Sequence, residues 1–138
     1  FDKVTEQSKD NPVFYVQYAH ARVCSVLRKA EAAGIDLVDA PNLEDEAEFA
    51  LARKVAEWPR LVEIAARGNE PHRIAFYLVD LASRFHSLWN AGRENPSLRF
   101  ILDDDAATTA ARMQLVQATS FVIRTGLNVL SIKAVEEM

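Results

Sequence analysis

Apolar residues in this chain recur at spacings of three and four in run after run, with turn-forming residues between the runs. That periodicity confines the fold to packed helices. In the last run Met113, Val116, Ser120, Ile123, Leu127 and Leu130 keep a 3-4-3-4-3 spacing, and Leu115, Ala118, Val122 and Val129 add a second apolar face. A helix apolar on two faces belongs near the centre of a bundle. Ile74, Leu78, Leu81, Phe85 and Leu88 mark another long helix, opened by Glu70-Pro71 and ended by Gly92. No segment reads convincingly as a strand.

The first helix has the clearest start. Asn11 can cap it, and Pro12 suits the first helical position, where a missing N–H and a fixed φ cost nothing; Gly34 is a natural stop. At about 100° per residue, Val16, Ala19, Val23, Leu27 and Ala30 form a core-facing stripe, while Tyr15, Tyr18 and Arg22 share a neighbouring face. The segment from Ile35 to Leu43, with Asp36, Asp39, Pro41 and Asn42, reads as a connector. Glu44 to Trp58 is helical through Phe49, Leu51, Ala52, Val55 and Ala56, with acids in its first turn where the helix dipole favours them. Pro59 interrupts it, and Arg60 to Arg67 continues as a short helix stopped by Gly68. Glu94 to Asp105 is a loop whose last aspartate caps the final helix. The expected fold is an all-α bundle of about five to six helices occupying residues 11–138, with 1–10 leading into it.

Composition limits function. The chain has 138 residues and a formal charge of −4, which excludes a polyanion binder acting through bulk positive charge; any nucleic-acid contact must be a local patch. Cys24 is the single cysteine, and His20, His72 and His86 lack metal-ligand spacing with it, so a reducing cytoplasm is the simplest compartment. No apolar run approaches the ~20 residues that cross a bilayer, and FDKVTEQSKD has no signal-peptide character; a soluble chain that starts as an excised domain would is expected. The nucleophile elbow, the P-loop and the dinucleotide glycine fingerprint are missing, with four glycines in the whole chain. Asp103, Asp104 and Asp105 read as a solvated cap, and His20 and His86 as structural histidines.

The aromatic face leaves two readings open. Tyr15 and Tyr18 fit half-buried rings with wet hydroxyls, and equally a surface that stacks on bases while Arg22 meets a phosphate. Phe85 and Trp89 make a second aromatic pair at i, i+4, which periodicity assigns to the core. An apolar anchor for a partner protein is the alternative use of the Tyr15/Tyr18 face.

Three segments carry a family likeness. NPVFYVQYAHARVCSVLRKA (11–30), LASRFHSLWNAGR (81–93) and RMQLVQATSFVIRTGLNVLSIKAVEEM (112–138) resemble, in order and spacing, the DALR-type anticodon-binding domain of arginyl-tRNA synthetases, and residues 1–10 resemble the exit from the catalytic domain. The resemblance implies a module that holds the anticodon arm of the tRNA for arginine and reads a cytosine at its centre. Its implied partners are that tRNA and the missing catalytic domain, which uses ATP with Mg; DNA, membranes and a cofactor of this chain's own are not implied, and this chain alone should not aminoacylate. The implied anticodon contacts are Tyr15, Tyr18, Arg22, Phe85, Trp89 and Met138. Two residues depart from the pattern: Val135 stands where the family often has proline, and Phe85 lacks the hydroxyl of a tyrosine, leaving it stacking or packing only.

Overall fold

Asn11 opens the bundle by accepting hydrogen bonds from the Val13 and Phe14 amides at 3.0 and 3.4 Å, with Pro12 beginning the helix it caps. The structure, a computed structural model, describes residues 11–35 and 43–138; residues 1–10, expected to lead in from a catalytic domain, and most of the expected connector lie outside them. Among the described residues the elements are helical: α1 Pro12–Ala32, α2 Glu46–Ala56, α3 Trp58–Gly68, α4 His72–Glu94, a 3-10 turn Pro96–Leu98 and α5 Ala106–Val129. None of these helices is long and apolar enough to cross a membrane.

α4 and α5 form the centre. α5 packs against α1, α2 and α4, and α4 also meets α3 and the 3-10 turn. Phe85, Leu51, Leu78, Leu81, Leu88, Met113, Ile123 and Leu127 are fully buried between them. Gly126 lets Leu78 of α4 pack directly on α5, since a Cβ there would lie 2.7 Å from Leu78 Cδ2.

Helix ends follow one device three times. The amides of Ile35, Glu70 and Ile132 each reach back five residues, to the carbonyls of Ala30, Ala65 and Leu127. Gly34, Asn69 and Ser131 supply the left-handed residue that this closure needs, at φ 66, 52 and 58°.

Several expectations are corrected. Val26, rather than Leu27, joins Val16, Ala19, Val23 and Ala30 in the core, because a 3-4-3-4 spacing keeps the stripe on one line; Leu27 turns to its half-buried edge. Val129 is 55 % exposed, so the second apolar face of α5 fades at its last turn. The break before α3 falls at Glu57, and Pro59 lies within the first turn, where proline is tolerated. Asn69, not Gly68, takes the left-handed stop of α3. Gly92 does not end α4, which runs to Glu94; it is needed because a side chain there would press on the main chain at Leu98 and Arg99, at 3.0 to 3.3 Å.

One buried ion pair ties the parts together. Arg112 on α5 donates from Nε to Glu48 Oε1 and from Nη1 to the carbonyls of Ser97 and Arg99 at 2.8 and 2.6 Å. Glu48 Oε2 accepts from the Glu44 and Asp45 amides, closing a capping box in which the Asp45 side chain accepts from Ala47 N at 2.8 Å. The two residues are 1 and 5 % exposed. Removing one member leaves the other charge buried and unpaired, so Arg112→Ala should cost about 3–5 kcal/mol in urea unfolding. Combining Arg112→Met with Glu48→Gln, whose amide oxygen can still cap, should recover most of that loss.

Candidate nucleic-acid interface

The face of α1 that carries Tyr15, Tyr18 and Arg22 meets the middle of α4, and the meeting point is Arg22. Its guanidinium carbon lies 4.3 Å from the Tyr18 ring centroid and 5.1 Å from that of Trp89, so the cation sits against two aromatic rings. Nη2 donates to the Tyr18 hydroxyl at 2.8 Å and Nη1 to His86 Nδ1 at 3.0 Å. These bonds commit two of the five guanidinium donors.

An arginine can only donate, so His86 Nδ1 must offer a lone pair and the imidazole is neutral with its proton on Nε2. That Nε2 is buried without a hydrogen-bond partner. Burial first, and the Arg22 charge second, hold the His86 pKa below the usual histidine value. His86 is thus the neutral seat of the Arg22 cation, with the Tyr15 ring 4.7 Å and the Tyr18 ring 5.7 Å from its own.

The six residues singled out by the sequence part company here. Tyr18, Arg22, Trp89 and Met138 line one open cavity of about 780 Å³, together with Ala21, Ser25, Arg28, Lys29, Arg93, Glu136 and Glu137. Tyr15 does not line it; half-buried, it packs against the core beside His86. Phe85 has no exposed surface and presents no face to a base. It packs with Phe100 at 5.5 Å and 15° and with Trp89 at 6.4 Å, so it supports Trp89 from within the core. Met138 is 56 % exposed at the cavity wall.

The cavity reverses the charge of the chain. Arg22, Arg28, Lys29 and Arg93 line it against Glu136 and Glu137, within a molecule of net charge −4. Flat rings, a planar cation and peripheral positive charge suit a single-stranded nucleic acid, which offers base faces and phosphates. Elsewhere Asp105 caps α5, its carboxylate held below the usual range first by the Thr108 hydroxyl, and Asp103 and Asp104 are exposed. Among the described residues no group of three His, Cys, Asp or Glu side chains could hold a metal ion.

Sequence reasoning missed His86 as the partner of Arg22, the cations Arg28, Lys29 and Arg93, and the contacts of the C-terminal tail with α1. His86 adjoins Phe85 and lies three residues from Trp89, but only the crossing of α4 over α1 shows which of its neighbours it meets. Lys29 could have been found as an extension of the Arg22 face by two turns, whereas Arg28 points from a different side of α1.

Comparison with known proteins identifies the family. The DALR anticodon binding domain family matches residues 16–138. The chain is 58% identical over 139 residues to the arginine–tRNA ligase of Jannaschia sp., covering 99% of this chain and 24% of that protein. It is 58% identical to the arginine–tRNA ligase of Ruegeria pomeroyi, covering 100% and 25%. The arginyl-tRNA synthetase structure from Thermus thermophilus superposes with a TM-score of 0.76 at 38% identity, covering 90% of this chain and 21% of that one. The chain therefore spans about a quarter of the length of the curated relatives it matches, and it belongs to the DALR anticodon binding domain family.

The neutral His86 makes stability depend on pH with a definite sign. The unfolded imidazole protonates near its ordinary value of 6.5 and the folded one only at lower pH, so this contribution is complete above about 6.5 and is lost as pH falls below it. Urea unfolding over that range should show wild type losing more stability on acidification than His86→Asn.

Proposed function

We propose that this member of the DALR anticodon binding domain family holds the anticodon arm of a tRNA for arginine in the cavity lined by Tyr18, Arg22, Trp89 and Met138. The observation that carries this reading is Arg22, placed against two rings within a locally cationic wall of an acidic chain. An anticodon loop must be unstacked to be read, and protein rings can replace the lost stacking at roughly 1–3 kcal/mol per base. Tyr18 and Trp89 offer those rings. Arg22 offers a planar fork for a base edge or a phosphate oxygen. A cytosine at the central anticodon position is the base this site reads, and Tyr15 acts from behind by packing on His86.

The rest of the activity belongs to a longer polypeptide, an arginine–tRNA ligase that joins arginine to its tRNA with ATP and Mg in the cytoplasm. The four glycines, Gly34, Gly68, Gly92 and Gly126, stand far apart in this chain and make no glycine-rich turn to cradle phosphates. The partner is RNA rather than DNA or a membrane, and the cationic cavity wall favours RNA over an apolar protein anchor.

Titration with a transcript of the tRNA for arginine and with its central C→G variant tests the reading. Tighter binding of the first is expected, and equal affinity would count against anticodon reading here. Binding should weaken as salt rises, since phosphate contacts release counterions, whereas a protein-binding face would change little. Tyr18→Ala should lose about 1–3 kcal/mol of binding with the helical circular dichroism retained. Arg22→Lys, which keeps the charge but not the fork, should lose discrimination between the two transcripts more than affinity.

A further inference from the structure

Gln17, His20, Cys24 and Arg28 recur at spacings of three and four along α1, and the tail that follows α5 lies over this stripe. Gln17 Nε2 donates to the Lys133 carbonyl at 2.8 Å, His20 Nδ1 bonds the Val135 carbonyl at 2.8 Å, and Arg28 Nη1 donates to the Glu136 carbonyl at 3.3 Å. Arg28 Nη2 also stands 3.8 Å from the Glu137 carboxylate. Residues 133–136 thus follow α1 from its second turn toward its last, and Met138 reaches the cavity wall beside Tyr18, Arg22 and Trp89.

The rungs of this ladder are not equal. The Gln17 and Arg28 bonds are exposed, where water and salt compete and such contacts contribute little. His20 is 2 % exposed and its bond to the half-buried Val135 is better shielded from water than the other two. A carbonyl can only accept, which places the His20 proton on Nδ1. Cys24 lies beside the ring, with Sγ 3.7 Å from Nδ1, and burial raises its pKa and keeps it a neutral thiol. Nothing in this contact uses the side chain of residue 135. Proline would offer the same carbonyl and lacks only an N–H that the bond does not need, so Val135 in place of a proline leaves the anchor intact.

We propose that His20 is a positioning residue for the anticodon pocket: by donating from Nδ1 to the Val135 carbonyl it fixes the tail so that Met138 closes the cavity against Tyr18, Arg22 and Trp89. His20 is not among the residues lining the cavity, and it acts on the bound base only through the tail. The inference rests on reading that cavity as the anticodon site.

The test uses this chain with three changes: His20→Leu, which fills the buried space without a donor; His20→Asn, whose amide nitrogen stands where Nδ1 does; and deletion of residues 134–138. Trypsin cleavage after Lys133, whose carbonyl is held on α1, requires the tail to detach and reads the anchor without RNA; a hairpin of the anticodon arm, with central C or G, reads the pocket. Loss of the His20 hydrogen bond converts to about tenfold in an equilibrium constant. His20→Leu should therefore speed cleavage after Lys133 about tenfold, with His20→Asn near wild type. His20→Leu should also reduce C over G discrimination to the level of the deletion, and the two combined should lose no more than the deletion alone. Tail cleavage unchanged by His20→Leu overturns the proposal, as do additive losses in the combined variant. If wild type fails to bind either hairpin, the anticodon reading falls and the pocket role with it, while cleavage still decides whether His20 anchors the tail.

Discussion

The buried pair of Glu48 and Arg112 is the constraint from which the site is built. Glu48 finishes the start of α2, and Arg112 takes up the carbonyls of Ser97 and Arg99, so three segments far apart in sequence meet at one charge pair. A consequence reaches the cavity through packing. Once 97–99 is fixed, Phe100 lies against Phe85 at 5.5 Å and against Trp89 at 6.3 Å, and Trp89 is thereby turned toward Arg22. Gly92 permits this by letting the main chain of 98–99 approach α4.

Arg22 is held by a different device, a charge seated on uncharged partners. A carboxylate beside it would have neutralised the cation that a nucleic acid is to meet, whereas the neutral His86 and the Tyr18 hydroxyl orient the guanidinium and leave its charge in place. Ion pairing is found instead at the rim, between Arg28 and Glu137, where exposure keeps it weak. An acidic chain can in this way present a cationic cavity. The electrostatics of the site are set by which side chains converge, and net charge says little about them.

Much of the fold was legible because helices report themselves locally. The Asn11-Pro12 start, the core positions of α4 and the 3-4 spacing of α5 each depend on neighbours within a turn or two. Errors arose where a residue type has two uses. Gly92 reads as a stop until the turn pressing on it is seen, and Leu27 and Val26 are equally apolar, so only the line of contact with the other helices decides which is buried. Of the site, the aromatic and basic residues were legible as types, and the family likeness gathered them into one group. It gave no means of separating Phe85, sealed in the core, from Trp89 one turn later at the cavity wall.

The sequence by itself determined an all-helical bundle, the face of α1 that carries Tyr15, Tyr18 and Arg22, and the absence of any phosphate-cradling glycine loop, because each follows from spacing along one chain segment. The tertiary structure alone decided that Arg22 rests on His86, that Arg112 finds Glu48, and that the tail is held by His20. Those contacts join residues 64, 64 and 115 positions apart. No periodicity reaches that far: a helix fixes the direction of a side chain relative to its own axis, and which partner it meets depends on how two helices cross.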